Sequence, residues 1–268
     1  MQNMTYAKAL EVLRGKRPLV HHITNYVTVN DCANITLCIG ASPVMSDAEG
    51  EVEQMVSLAG ALVLNIGTLN DAQVRSMLLA GREANRRSIP IVLDPVGAGA
   101  TKMRTEVTRM LLSELKVSVL KGNAGEIGVL AGSGGIVRGV DSEGVSGDPV
   151  SVAISLARSS GVTVAMSGAT DVITDGQRTV LVDNGHPLMG RLSGTGCMVA
   201  SVVGAFSAVM EDPVDAATSA FVCLGIAGEK AAERAKGPGS FKVALLDETY
   251  GLKGEDVIKM ARTRTVQE

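Results

Sequence analysis

Residues 191–201 read Arg-Leu-Ser-Gly-Thr-Gly-Cys-Met-Val-Ala-Ser. Gly194, Thr195 and Gly196 lead straight into an Ala/Val-rich run that reads as a buried helix. The backbone N–H groups of Gly194, Thr195, Gly196 and Cys197 would then converge at its N-terminus, where helices bind anions. Such a cradle suits the charge that builds on a phosphoryl group in transfer. Close helix–sheet packing would use the same glycines. Cys197 adds a thiol at the helix start, a position that can lower a thiol pKa from about 8.5; it either supplies a thiolate base for an alcohol proton or only lines the pocket, since loose phosphoryl transfer needs little base help.

Three further clusters follow apolar runs. Asp94 is followed by Pro-Val-Gly-Ala-Gly, as either a helix cap with a turn or a carboxylate facing phosphates through Mg2+, a cation that takes oxygen ligands and keeps water. Lys121-Gly-Asn123-Ala-Gly-Glu126 offers a cation, an amide and a second acid at a helix start, where the alternative is a solvated loop. Ser167-Gly168 would let backbone approach a nucleotide, or simply turn the chain. Neither a GxxxxGK[ST] loop nor a strand-borne GxGxxG is present, which excludes a P-loop enzyme and disfavours a dinucleotide fold. His21 and His22 are adjacent in a strand and so point to opposite faces, which reads as structural rather than as a catalytic pair.

Runs at 19–23, 43–45, 61–66, 91–94, 117–121 and 162–167 alternate with helical stretches at 6–14, 29–39, 48–59, 71–87, 105–115, 149–159, 195–210, 214–235, 240–250 and 254–263. That alternation predicts a three-layer α/β/α fold with a mostly parallel sheet. Asp175-Gly176 between runs at 172–174 and 179–182 predicts a hairpin and an antiparallel pair. In such a sheet, ligands bind beyond the carboxyl ends of the strands, where the four clusters fall. The glycine-rich residues 132–147 read as a loop or flap, and with no linker or repeat the chain reads as one domain, 1–268.

Composition excludes other classes. The chain is 46% apolar, enough to cover both sheet faces, but only 2% aromatic, too few for stacking platforms on single-stranded nucleic acid. Net charge is −3 with no basic stretch, so duplex binding has no electrostatic footprint. The polar N-terminus is no signal peptide and the apolar runs are too short for a bilayer, pointing to a cytoplasmic protein. Four cysteines without CxxC spacing predict reduced thiols and no structural zinc.

The motifs Asp94-Pro-Val-Gly-Ala, Gly122-Asn-Ala through Glu126 and Ser193-Gly-Thr-Gly-Cys197 resemble the hydroxyethylthiazole kinase family, of the ribokinase-like fold. The likeness extends to His21-His-Ile-Thr-Asn-Tyr-Val-Thr28, residues 30–34, Gly40-Ala-Ser-Pro-Val-Met45 and Leu64-Asn-Ile-Gly-Thr-Leu69. The run from Asn25 to Met45 is specific to thiazole kinases, while Gly-Thr-Gly is shared more widely. The resemblance implies ATP-dependent phosphorylation of the hydroxyl of 4-methyl-5-(2-hydroxyethyl)thiazole for thiamine synthesis, on a sheet of roughly nine strands. It implies a homotrimer with active sites at subunit interfaces. It implies that Met45 and Gly194 touch the thiazole with Asn25 and Val27 nearby, that Lys121 and Ser167 touch ATP with Asn123 near the phosphates, and that Asp94 and Glu126 lie near Mg2+. Related sugar and vitamin kinases carry an Asp base where Cys197 stands. Two positions depart from the family: Lys121 replaces Arg and Gly125 replaces Ser, and a lysine cannot form a bidentate fork. The rival readings are a Cys197–His22 acyl-transfer enzyme, a non-catalytic thiazole or thiamine binder, and a kinase of this fold with a pyrimidine or sugar substrate.

Overall fold

The β-branched runs become strands β1 (Leu19–Ile23), β2 (Ser42–Met45), β3 (Ala61–Asn65), β4 (Ile91–Asp94), β5 (Val119–Asn123), β6 (Gly135–Arg138), β7 (Asp141–Val145), β8 (Thr163–Ser167), β9 (Asp171–Thr174), β10 (Thr179–Val182) and β11 (Thr263–Val266). The computed structural model describes residues 2–133, 135–138, 141–145 and 147–266. Nine strands form one sheet in the order β11-β10-β9-β8-β5-β4-β3-β1-β2. Pairs from β2 across to β8 are parallel, and β8–β9, β9–β10 and β10–β11 are antiparallel.

Helices α1 (Gln2–Lys16), α2 (Val29–Ile39), α3 (Val52–Ser57), α4 (Asp71–Arg86), α5 (Lys102–Glu114), α6 (Ala124–Leu130), α7 (Pro149–Ser160), α8 (Thr195–Ser207), α9 (Pro213–Arg234), α10 (Pro238–Gly251) and α11 (Gly254–Met260) cover both faces. Alternation along each strand divides the core in two. Val20, Val63, Val92 and Val119 join Phe206, Phe221 and Phe241 on the face of α1, α2 and α8 to α11. Leu62, Leu64, Leu93 and Leu120 join Met77, Leu111 and Ile127 on the face of α3 to α7. With almost no aromatics, close approach replaces bulk. A Cβ at Gly204 of α8 would come 2.5 Å from Val63 Cγ2, so only glycine lets this helix lie so near β3.

Several elements differ from the sequence reading. The helix expected over 48–59 is only α3, because Gly50 breaks the early turn. The last helix stops at Met260, and the polar residues 263–266 add edge strand β11, which carries no apolar alternation to reveal it. Residues 132–147, expected as a loop or flap, include the antiparallel pair β6–β7 in their described part. The Asp175-Gly176 turn forms as expected, with Gly176 at φ +90° and Asp175 Oδ1 accepting from the Gln177 and Arg178 N–H groups. Among the described residues no helix is long and apolar enough to cross a membrane.

Candidate active site

The carboxyl ends of β3, β4, β5 and β8 are adjacent in the sheet and deliver polar side chains to one edge. Register sets Asn65 opposite Asp94 and Asn123 opposite Ser167. Asp94, Lys121 and Glu126 are all buried there. Asp94 Oδ2 accepts from Asn65 Nδ2 at 2.8 Å. Its Oδ1 has no hydrogen-bond partner and lies 3.7 Å from the Lys121 ammonium. Glu126 is held by a capping box at the start of α6: it receives the Asn123 N–H at 2.8 Å while Asn123 Oδ1 caps the Glu126 N–H. Its other oxygen receives the Gly97 N–H at 2.7 Å, which joins the loop after β4 to the helix after β5.

Helix α8 supplies the opposite wall. Gly194 is its N-cap, with φ +91°, and a Cβ there would come 2.6 Å from Thr28 Cγ2. A Cβ at Gly196 would come 3.0 Å from Lys121 Nζ, so the ammonium lies against the turn expected to bind anions. The Thr195 hydroxyl points the other way, donating to the Met189 and Leu192 carbonyls, and so braces the turn. Only its backbone is left to face a ligand. A cavity of about 560 Å3 opens beside this turn, lined by Ser167, Gly168, Asp171, Gly196, Phe221 and Gly225 among others. A concavity of about 600 Å3 at the amino ends of the strands, near Gly60, Pro90 and Ser118, contains none of the candidate residues.

Burial sets the electrostatics. It pushes the Asp94 carboxyl up against the pull of Lys121, and Glu126 moves the same way. Burial disfavours the Lys121 charge, but the attraction of Asp94, Glu126 and other neighbours outweighs it and Lys121 holds its proton more tightly than usual. Lys121, with Arg104 near Glu126, thus lies within electrostatic reach of three buried acids, Asp94, Glu126 and Asp171, whose raised pKa values mark a site short of positive charge. A divalent cation would draw those acids into their charged form, and the Asp94 Oδ1 without a hydrogen-bond partner fits such an ion. No cluster of three or more His, Cys, Asp or Glu side chains forms among the described residues. A cation would complete its shell with phosphate oxygens and water, the habit of Mg2+.

Cys197 lies at the start of α8, beside Asn25 and Asn65. Its Sγ receives Asn65 Nδ2 at 3.3 Å and Asn25 Nδ2 at 3.4 Å. Asn25 also donates to Asn65 Oδ1 and accepts from the Thr28 N–H and hydroxyl. The expectation of a lowered thiol pKa is reversed here: burial first, then the Asp94 charge, push Cys197 up. Burial also pushes His21 and His22 down, His22 to about 4. His21 Nε2 bonds the Ser46 carbonyl and His22 Nδ1 the Val20 carbonyl, at separate places beside β1, which leaves an acyl-transfer pairing with Cys197 unsupported.

Of the residues expected near a thiazole, Asn25 and Gly194 are drawn together around Cys197 through Thr28. Met45 ends edge strand β2, and Val27 is 63% exposed on the loop before α2. Among the described residues no hydrogen bond joins either to the cluster. Asn65 and Asp171 join the site without any motif in the sequence that assigns them a role. Asn65 ends a buried strand as Asp94 does, and that shared position was the available signal.

Asp171 yields a stability test. Its carboxyl accepts the Gly168 N–H, and burial raises its pKa to about 7. With the folded pKa above the unfolded 3.8, the folded state binds the proton more tightly. Stability therefore falls as pH rises from about 4 to 7, and the loss is complete above that. Asp171→Asn is expected to stabilise the ligand-free protein at pH 8 by up to about 4 kcal/mol and to do little near pH 4. Thermal melts at both pH values decide it, and an equal gain at each would refute the ionisation argument.

Carboxylates and an ammonium at adjacent strand ends, facing a glycine-rich helix N-terminus across a layered α/β/α sheet, define a phosphotransferase of the ribokinase-like fold. The chain belongs to the Hydroxyethylthiazole kinase family, whose sequence model matches residues 10–255. It is 62% identical over 255 residues to the hydroxyethylthiazole kinase of Methanocella arvoryzae, covering 95% of this chain and 96% of that one. With the hydroxyethylthiazole kinase of Chloroflexus aurantiacus it shares 50% over 264 residues, 98% of each. The solved structure of the Pyrococcus horikoshii hydroxyethylthiazole kinase superposes with a TM-score of 0.91 at 50% identity, covering 98% and 99% of the two chains. The Staphylococcus aureus pyridoxal kinase in complex with ADP shares the fold alone, with a TM-score of 0.57 at 16% identity over 79% of this chain and 87% of that one.

Proposed function

We propose that this chain transfers the γ-phosphoryl group of ATP to the hydroxyl of 4-methyl-5-(2-hydroxyethyl)thiazole in thiamine biosynthesis, as one kinase domain. The family membership supports the substrate. The observation that carries the chemistry is Lys121 lying between Asp94 Oδ1 and the Gly196 end of the α8 turn. Lys121, Ser167 and Asn123 receive the nucleotide, whose base and ribose take the cavity of about 560 Å3. Backbone N–H groups of residues 194–197 hold the transferring group, a role in which positioned donors gain strength by excluding water. Asp94, whose Oδ1 has no hydrogen-bond partner, would hold Mg2+, with Glu126, both of whose oxygens already accept backbone N–H groups, supporting the ion through its charge. When bound, Mg2+ supplies charge neutralisation on the phosphates.

The alcohol enters between Gly194, Asn25, Met45 and Val27, with Cys197 beneath its hydroxyl. A loose phosphoryl-transfer transition state asks for little base help, and a thiol pushed upward by burial gives little. Cys197→Ala is therefore expected to lower kcat by less than about tenfold, far below the hundredfold or more that a general base can supply. A larger loss would restore Cys197 as the base. The exposed Tyr26 and Val27 beside the thiazole end support a homotrimer in which a neighbour completes the pocket. Light scattering on the eluted protein tests that assembly. The enzyme works in the cytoplasm. A coupled ADP-release assay against a panel of thiazole, pyrimidine and sugar alcohols tests the activity, and failure of the thiazole alcohol to release ADP would overturn the substrate.

A further inference from the structure

Asn65 is spent completely on the active site. One Nδ2 hydrogen goes to Asp94 Oδ2 at 2.8 Å and the other to Cys197 Sγ at 3.3 Å. Its Oδ1 accepts from Asn25 Nδ2 and from the Gly67 N–H, both at 2.9 Å. The residue is buried at the end of β3, directly opposite Asp94 in register. Asp94 belongs to the phosphate side of the proposed reaction, Cys197 and Asn25 belong to the acceptor side, and Gly67 anchors the amide to the loop after β3. A buried amide with all its groups satisfied is a rigid connector, since turning it breaks several bonds at once.

We infer that Asn65 is a positioning residue for phosphoryl transfer, the bridge that fixes the phosphate-facing Asp94 carboxylate relative to the alcohol-facing Cys197 and Asn25. This inference rests on the kinase reading above. Because Asn65 holds Oδ2, the Asp94 carboxylate is oriented with Oδ1 toward Lys121 and the α8 turn. Because Asn65 also donates to Cys197, the sulfur floor under the alcohol moves only if Asp94 moves with it. In-line transfer needs the two ends aligned, and a misplacement of about 1 Å can cost a hundredfold. Asn65 itself is hidden behind these side chains, so it aligns the reactants without contributing to their affinity.

Asn65→Leu keeps the side chain's size and removes all its hydrogen bonds. Asn65→Asp keeps its shape and replaces both donors with acceptors, and serves as the second variant if the first does not fold. Each is expected to lower kcat by about 30-fold or more, with KM for ATP and for the alcohol, and Kd for a non-hydrolysable ATP analogue, within about threefold of wild type. Adding Cys197→Ala to Asn65→Leu is expected to cost less than Cys197→Ala alone, since the sulfur is already unplaced. A wild-type kcat in either variant, a loss confined to KM, or full additivity in the double variant would overturn the bridge. The wild type is assayed alongside. If it rejects the thiazole alcohol but phosphorylates another of the panel, the substrate reading fails while the Asn65 comparison proceeds on the accepted alcohol.

Discussion

Gly194→Ala is expected to lower kcat by about a hundredfold or more, the loss typical of removing a preorganised oxyanion donor. Two independent strains act at this one position. The backbone has φ +91°, a left-handed conformation that costs a non-glycine residue about 1–2 kcal/mol. The new Cβ would also lie 2.6 Å from Thr28 Cγ2. Thr28 cannot retreat freely, because both its N–H and its hydroxyl are held by Asn25 Oδ1, and Asn25 is held by Asn65. Relief must come from the start of α8, which moves the N–H groups of residues 194–197 off the transferring group. The global cost stays small by comparison, a drop in Tm of a few degrees. Gly196→Ala provides the comparison: its Cβ meets only the tip of the Lys121 side chain at 3.0 Å, so it shifts the ammonium but leaves the α8 turn in place. It should slow turnover less than Gly194→Ala. Kinetics and melts of the two variants together test the placement of the turn, and a Gly194→Ala enzyme with wild-type kcat would show that phosphoryl transfer happens elsewhere.

The strand ends carried most of what could be read from sequence. Asp94, Lys121 and Ser167 are legible because each ends an apolar run, and a parallel sheet brings such ends together, while the Gly194–Cys197 turn is legible because its glycines lead into an apolar helix. The α6 capping box was legible as Asn123 with Glu126 three residues on. Three things were not legible. Strand β11 is short, mostly polar and at the sheet edge, held by its pairing with β10 and the Arg264–Asp183 ion pair, so it leaves no apolar pattern. The direction of the Cys197 shift depends on burial and on Asp94, a residue more than a hundred positions earlier in the chain, while the sequence displayed only the helix start. The Asn25–Asn65–Asp94 chain of hydrogen bonds joins three strand ends through side chains whose meeting is fixed by register, which spacing in one sequence does not encode. Met45 and Val27 entered through resemblance alone, and their place at an edge strand and an exposed loop makes their role depend on what covers them.

Asp94→Asn is expected to abolish ADP release, a loss of about a thousandfold or more, while leaving the nucleotide cavity able to bind an ATP analogue. The reason lies in the partners of its two oxygens. Asn65 offers an N–H on one side and Lys121 an ammonium on the other, so the position faces donors in both directions. A carboxylate accepts from both. An amide accepts from one and must point its own NH2 at the other, and neither orientation satisfies both neighbours. If the amide oxygen stays on Asn65, the NH2 faces Lys121 and displaces the ammonium from its place beside Gly196. If it turns to Lys121, the bond to Asn65 is lost and the acceptor side loosens. In both cases one negative charge leaves a site whose surplus of buried acid was suited to a divalent cation. Raising Mg2+ or substituting Mn2+ should therefore not restore the variant, whereas Glu126→Gln, which retains an acceptor for the Gly97 or Asn123 N–H and removes only a supporting charge, should lose less and recover in part at high Mg2+. Titrating both variants with each metal in the ADP-release assay separates the two acids. Full recovery of Asp94→Asn at high metal would mean that its charge, rather than its fixed geometry, is all that the site requires.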